Sequence, residues 1–518
     1  MTVAATLLVR ADAGTRMGTG HVMRCLALAD AWQAAGRRTL FATHCPTEFR
    51  EWIRSSGAEP VSLERPHPDP ADLHATLALL SEARSEAADA GPPWVVLDGY
   101  HFDETYQRSI RDAGSRLLVI DDPARLERFH ADVVLNQNPH AQRLDYSCDP
   151  ATLLLLGPRY VLLRPEFHRW RDFRREPPEV ARKVLITAGG SDPDNVTRTL
   201  IAAVKRLDVP RYETKVVVGA ANPHFAALER ELLSPPETPR AGNIEILRSV
   251  PDMAALMAWA DVALSAAGTT CWEMAWMQLP AAVVALADNQ MPIAEHAAEA
   301  GTAINLGRAE ELTAQQIAEA LSALCRDRNR RAGQSEAGRR LIDGRGARRA
   351  VALMDSLDHP VPAEEMQLRL AVAEDERPLW RLANDPAVRG RSLSPEPIPL
   401  DEHVAWFRRK LADPATRIWV LEYQGLIVAV IRYDRTEADV AEISFHVASA
   451  FRRRGLGTWL LDQTRRPAGV ELGVDRVRGI VREENVASIR TFQRAGFTRA
   501  DSRMVRDRPC HLFERTTR

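Results

Sequence analysis

TLLVRADAGTRMGTGHVMRCLALADAW, residues 6–32, holds the pattern on which the fold turns. A short apolar run, TLLVRA (6–11), passes into a loop of small residues and then into a helical stretch starting near His21. Apolar strand, glycine-rich turn and helix together open a doubly wound parallel sheet. The alternation continues through TLFAT (39–43), WVVLD (94–98), RLLVID (116–121) and DVVLN (132–136), with helical patterns such as His21–Ala35 and Glu104–Ala113 between them. A polar stretch containing proline, RWRDFRREPPEVAR (169–182), reads as a linker. The pattern then restarts with KVLITA (183–188), TKVVVGA (214–220), NIEIL (243–247), DVALS (261–265), AAVVAL (281–286) and TAINL (302–306).

A second linker, DHPVPAEE (358–365), ends this repetition. Beyond it, IWVLEYQGLIVAVIRYD (418–434) reads as a β-hairpin around Gln424 and Gly425, and AEISFHVA (441–448) as a strand that feeds a glycine-rich turn and a helix. The expected architecture is therefore two α/β domains, 1–170 and 183–357, followed by an α+β domain, 366–518. The length of 518 residues fits about three domains.

Composition limits the function. Lys+Arg 68 against Asp+Glu 70 gives a net charge of −2, which argues against a nucleic-acid partner. No apolar run is long enough for a membrane span, and the N-terminus has no basic n-region. The six cysteines are scattered, with no CxxC and no histidine at metal spacing, so a reduced cytoplasmic protein without structural zinc is expected. The four lysines lie outside every motif, leaving little support for Schiff-base chemistry.

Four clusters carry chemistry. In the first, Gly18 and Gly20 allow close approach of a ligand, and His21 sits at a helix start facing the sheet's carboxyl end. An imidazole there is a candidate general base, with the helix N-terminus disfavouring its cation. GxGH alone fits a packing or capping histidine better. In the second, Gly189, Gly190 and Ser191 follow a strand and could cradle a phosphate, or make an ordinary turn capped by Asp192 or Asp194. The third, SAAGTTCWEMAWMQLPAAVVALADNQ (265–290), offers Gly268, Thr269 and Thr270 as a diphosphate seat, Glu273 one turn on, and Asp288, Asn289 and Gln290 after the next strand. Its plainer reading is a helix capped by Thr269 with Glu273 closing a capping box. The fourth, FHVASAFRRRGLGTWLLDQT (445–464), places Arg452, Arg453, Arg454, Gly455 and Gly457 between strand and helix, a loop able to grip a pyrophosphate.

Taken together, the first three clusters with LDGYHFDETYQ (97–107), VIDDPA (119–124), LNQNPHA (135–141) and LGPRYVLLRPEF (156–167) resemble the PseG-type UDP-sugar hydrolases of pseudaminic acid synthesis, and the paired domains resemble the GT-B fold. The resemblance spans most of residues 5–306. It implies metal-independent hydrolysis of UDP-2,4-diacetamido-2,4,6-trideoxy-β-L-altropyranose to UDP and free sugar, by C1–O cleavage with inversion. It implies His21 as the catalytic residue, the Gly268–Thr270 turn on the diphosphate, Glu273 on the ribose, and Arg10, Asp12, Asp98 and Tyr100 on the sugar side.

Arg452, Gly455 and Gly457, then Asn485 and Ser488, then Gly496-Phe497, resemble the GNAT acetyltransferases over roughly 366–510. NDPAVRGRSLSPEPIPLDEHVAWF (384–407) resembles their PseH-type members, which acetylate the 4-amino group of the UDP-sugar precursor from acetyl-CoA. Many GNAT enzymes carry a tyrosine acid where this chain has Phe492, and Glu442 is the candidate base, against an equally weighted reading as a solvated edge carboxylate. Two other readings stay open: a GT-B glycosyltransferase with a GNAT domain of other specificity, and a catalytically silent scaffold that binds nucleotide sugars.

Overall fold

The computed structural model describes residues 5–14, 19–86, 91–219, 222–233, 242–248, 250 and 252–518. Gly18 of the first cluster lies outside these. The chain divides into two compact units, Met1–Cys148 with Leu154–Val351, and Asp149–Leu153 with Ala352–Arg518.

The first sheet contains β1 (Leu7–Ala11), β2 (Thr39–Thr43), β3 (Glu59–Ser62), β4 (Trp94–Asp98), β5 (Arg116–Ile120), β6 (Val133–Asn136) and β7 (Leu153–Leu156), in the order β3-β2-β1-β4-β5-β6-β7. The pairings from β3 through β6 are parallel. Every residue of β1, β2 and β4 is buried. Helices on both faces explain why these strands read as unbroken apolar runs. β3 and β7 are additions to the expected set. β3 carries Pro60 at the sheet edge, and β7 is four leucines without period.

The second sheet contains β8 (Lys183–Thr187), β9 (Glu213–Val218), β10 (Asn243–Arg248), β11 (Val262–Ala266), β12 (Ala281–Ala285) and β13 (Ala303–Arg308), in the order β10-β9-β8-β11-β12-β13. All five pairings are parallel. One apolar cluster covers each face: Val184, Ile186, Leu200 and Leu321 on one, Leu185, Met257, Trp272 and Val283 on the other. The two parallel sheets and the mixed sheet below form the expected architecture.

The third sheet contains β14 (Gln367–Leu370), β15 (Thr416–Tyr423), β16 (Leu426–Arg435), β17 (Val440–Val447), β18 (Arg476–Arg482), β19 (Thr498–Val505) and β20 (Arg508–Thr516), in the order β14-β15-β16-β17-β18-β20-β19. The expected hairpin is β15–β16, turning at Gln424 (φ 51°) and Gly425 (φ 84°). β17 and β18 are the parallel pair among antiparallel neighbours. Their register runs from Val440 opposite Arg476 to Ile443 opposite Gly479 and stops there, although β17 continues to Val447 and β18 to Arg482. The two strands fork over their last residues. Among the described residues, no helix is long and apolar enough to cross a membrane.

Candidate functional site

Each parallel sheet reverses its strand order once, between β1 and β4 and between β8 and β11. The crevice beyond the carboxyl ends at such a reversal is where open α/β sheets bind ligands. The first reversal holds Gly20 and His21 after β1 and Asp98 at the end of β4; the second holds Gly190 after β8 and Gly268–Thr270 after β11. The two sets meet. A methyl group at Gly20 would lie 4.0 Å from Thr269 Oγ1, and one at Gly190 only 2.7 Å from Thr19 Oγ1 and 3.1 Å from Thr19 N. Between them lies a cleft lined among others by Gly20, Arg24, Gln137, Arg164, Thr269 and Glu273.

His21 and Arg24 stand three residues apart on the helix Gly20–Gln33, so both point to the end of β4. His21 Nδ1 lies 2.6 Å from Asp98 Oδ1, and Arg24 donates to both Asp98 oxygens at 2.6 and 2.7 Å. Arg24 Nη1 also donates to Asp122 Oδ1 at 2.9 Å, Asn138 Nδ2 donates to the same oxygen at 2.6 Å, and Tyr100 Oη donates to Asp122 Oδ2 at 2.7 Å. The Tyr100 ring meets His21 edge-on at 5.1 Å. Burial alone would raise the Asp98 carboxyl, but Arg24 and then His21 hold it well below the usual carboxylate range. Asp98 places the imidazole proton on Nδ1 and leaves the Nε2 lone pair for a substrate proton. The group that orients His21 is thus a buried carboxylate.

Three sugar-side expectations change. Arg10 has no exposed surface; it donates to Asp12 (2.5 and 2.8 Å) and to Asp72, with Phe102 beneath its guanidinium at 5.0 Å. Asp98 is likewise fully buried. Neither has exposed surface to offer a sugar. Asp12 retains 3% exposure and is saturated by Arg10, the His44 backbone N–H (2.7 Å) and His101 Nε2 (3.2 Å). Tyr100, 46% exposed, remains open to a ligand. Asp122, Asn138 and Arg164 join the site although composition and spacing did not single them out; each sits inside a quoted motif, and the motifs were the signal.

In the second half, Gly190 has no room for a side chain, since Gly219 packs against its carbonyl and Thr19 against its Cα. Ser191 is partly exposed, while Asp192 caps the helix Val196–Val204 through the N–H groups of Val196 (2.8 Å) and Thr197 (2.9 Å). Thr269 occupies the cap position of the helix Thr270–Trp276 without a side-chain cap bond. Glu273 closes no capping box. Its oxygens accept from Arg164 Nε at 2.8 Å and Nη2 at 3.1 Å, so any ribose contact is to a carboxylate already held by an arginine. Asn289 is exposed, and Gln290 spends its carbonyl oxygen on the Leu286 N–H at 2.9 Å. Among the described residues, no group of three or more His, Cys, Asp or Glu is placed to hold a metal ion.

In the second unit, the loop 452–455 separates β17 from the helix Leu456–Leu472. Gly455 has φ 81° and open space where a Cβ would stand, and Arg453 is exposed. These features fit a pyrophosphate seated on the helix N–H groups. The other motif residues serve the protein itself. Arg452 bonds the Val447 carbonyl (3.0 Å) and Asp385 (3.1 Å), and Arg454 the carbonyls of Ser356 (2.7 Å) and Ala450 (2.8 Å). Gly457 sits in a tight place, where a Cβ would lie 3.0 Å from Thr491 and 3.1 Å from Phe445. Asn485 caps the helix Val486–Arg494 by accepting from the Ser488 N–H at 3.2 Å. Phe492 is stacked on Phe513 at 5.6 Å and edge-on to Phe497 at 5.0 Å, a core position. The expected base, Glu442, lies in the hydrogen-bonded part of the β17–β18 ladder, opposite Arg478. The fork opens only beyond Ile443, and the residues there on the Glu442 face are Ser444 and His446, of which only the imidazole can take up a proton near neutral pH.

Comparisons with known proteins divide along the same lines. Residues 184–345 match the family model "Glycosyltransferase family 28 C-terminal domain", and residues 365–498 match "Acetyltransferase (GNAT) domain". The spore coat polysaccharide biosynthesis protein SpsG of Bacillus subtilis is 24% identical over 350 residues, covering 67% of this chain and 97% of that protein. An uncharacterized protein of Methanocaldococcus jannaschii, MJ1062, is 24% identical over 286 residues; the match takes in 54% of this chain and about half (55%) of that protein's length. Among solved structures, MurG of Acinetobacter baumannii aligns at 18% identity over 68% of this chain and 99% of its own, with a TM-score of 0.48. The acetyltransferase yncA of Salmonella typhimurium aligns at 18% identity over 30% of this chain and 95% of its own, with a TM-score of 0.27. The chain joins a glycosyltransferase-28-like domain to a GNAT-type acetyltransferase domain.

Proposed function

We propose that this chain is a bifunctional enzyme of pseudaminic acid synthesis. Residues 1–170 and 183–357 form the two halves of a hydrolase that cleaves UDP-2,4-diacetamido-2,4,6-trideoxy-β-L-altropyranose. Residues 366–518 acetylate the 4-amino group of its UDP-sugar precursor from acetyl-CoA. Both substrates are small and water-soluble, in keeping with action in the cytoplasm. The observation that carries the hydrolase reading is the His21–Asp98 pair at the point where Gly20, Gly190 and Thr269 converge.

In this reading the UDP group lies against Gly190 and Gly268–Thr270, whose N–H groups meet the charge that develops as the C1–O bond breaks. Water attacks C1 from the opposite face and passes a proton to His21 Nε2. Asp98 stabilises the imidazolium so formed, and Arg24 with Asp122 keeps Asp98 in place. Attack from the opposite face inverts the anomeric centre. The test is a proton NMR time course on the β-linked substrate: the α anomer of the free sugar should appear first and mutarotate later. First appearance of the β anomer contradicts the direct displacement.

The match of residues 184–345 to a glycosyltransferase domain favours one second reading, transfer of the sugar to an acceptor other than water. It predicts UDP release only when an acceptor is added, whereas hydrolysis needs none.

A further inference from the structure

The pairing of β17 with β18 ends at Ile443 opposite Gly479, and the opening beyond it has room for the thioester that the acetyl-transfer reading above requires, a reading on which the following rests. Extending their register by three residues sets His446 level with Arg482 on the two sides of the gap. Alternation puts both side chains on the face away from Phe445, whose ring packs against Gly457 and Phe492. Arg482 is occupied: it donates to the carbonyls of Gly390 (2.9 Å) and Ser392 (3.0 Å), and so ties the segment after the short helix Pro386–Arg389 to the open end of β18. His446 is half-buried, and among the described residues no hydrogen bond reaches its ring. Glu442 stands four residues back, about 13 Å along the strand, in the closed part of the ladder.

The structure assigns His446 as the proton carrier of acetyl transfer, taking the proton of the attacking amine and returning it to the departing thiolate. The amine lone pair forms the C–N bond at the thioester carbonyl as its proton passes to the imidazole. Collapse of the tetrahedral carbon breaks the C–S bond, and sulfur leaves with the electron pair. His446 then gives the proton to that sulfur and is neutral again. Phe492 has no proton to give, so the return of the proton falls to the imidazolium.

The charges around the ring suit both halves of the cycle. Facing it are Arg432 on β16, Arg389 at the end of its short helix, Arg452 in the loop, and one carboxylate, Asp385. Asp385 is itself bound by Ser449 Oγ (2.5 Å) and Arg452 (3.1 Å). Burial first, then Arg432, Arg389 and Arg452, hold the His446 imidazole down to about 4. The ring is therefore unprotonated and ready to accept at neutral pH, and its cation, set among arginines, is a strong acid towards a thiolate. A carboxylate base lacks this second property.

The probe is the UDP-linked 4-amino sugar with acetyl-CoA, read as CoA release by the full chain between pH 6 and 9.5. His446→Gln is expected to lose about 100-fold in kcat at pH 7, with KM for acetyl-CoA within about threefold of wild type. The loss should persist at pH 9.5, because the proton that His446 takes is released from an already neutral amine as the C–N bond forms. A loss under about threefold at pH 7, or one that disappears at pH 9.5, overturns the assignment. If the variant does not fold, Arg389→Gln reads the same group: with the kcat profile extended down to pH 4, removing one cation should move the limb on which His446 protonates to higher pH, and an unmoved limb overturns the assignment. If the wild-type chain leaves the UDP-aminosugar untouched, the acceptor reading fails. His446 is then read from the background hydrolysis of acetyl-CoA, where water is the nucleophile. His446→Gln should suppress it, and equal background in both proteins rejects the proton carrier.

Discussion

At the residue scale, the proposed chemistry of the first unit rests on one imidazole and the carboxylate behind it. Asp98→Asn keeps the shape but can present an N–H to Nδ1, which turns the lone pair away from the substrate side. A fall of about 10³–10⁴ in kcat is expected, with little change in KM, checked by steady-state UDP release. Asp121 gives a prediction of a different kind. Burial raises its carboxyl to about 6 despite the hydrogen bonds from the Ala124 N–H and Tyr146, with Asp122 adding to the rise. A raised carboxyl binds its proton more tightly folded than unfolded, so the folded state loses stability as pH climbs from about 4 to about 6. The cost above pH 6 is about 2–3 kcal/mol. Asp121→Asn removes that dependence, so urea unfolding should show the variant gaining on wild type at pH 7.5 relative to pH 4.5.

At the element scale, close approaches set the tolerances. A Cβ at Gly479 on β18 would stand 2.2 Å from the buried Phe492 ring. Gly479→Ala should destabilise the acetyltransferase unit by about 1–3 kcal/mol in thermal unfolding, and Gly479→Ala with Phe492→Leu should recover part of it. Elements were legible in sequence where they are buried on both faces. β1, β4, β11 and β12 are continuous apolar runs and were found nearly to the residue. β3, an edge strand with a proline, and β19, whose first seven residues are exposed, carry no such signal. The site was half legible. The glycine-rich loops after β1, β8 and β11 are visible as motifs, and topology brings them together. That Arg10 is closed off depends on Asp72, 62 residues away on the helix Pro70–Glu86, and no local pattern reports it. The same holds for Glu442 and His446. Alternation places both on one face of β17, but where the ladder stops is a property of two strands.

At the scale of the whole molecule, the proposed function asks for two small anionic ligands, which suits a chain whose net charge is only −2. In that proposal each diphosphate is met by a local loop at a strand end, so overall charge has no part in recognition. The two proposed chemistries use residues of separate compact units. His21→Ala should abolish sugar release and leave CoA release from the acetyl-transfer assay within about twofold of wild type. Loss of both activities in a folded variant would show that the reactions share a site.

The central claim is that water, activated by His21, attacks C1 of a UDP-sugar. Turnover of the UDP-linked diacetamido sugar in ¹⁸O-water, with products weighed by mass spectrometry, tests it most directly. One ¹⁸O in the released sugar and none in UDP is the predicted result. Label in UDP would mean attack at phosphorus and would contradict the account.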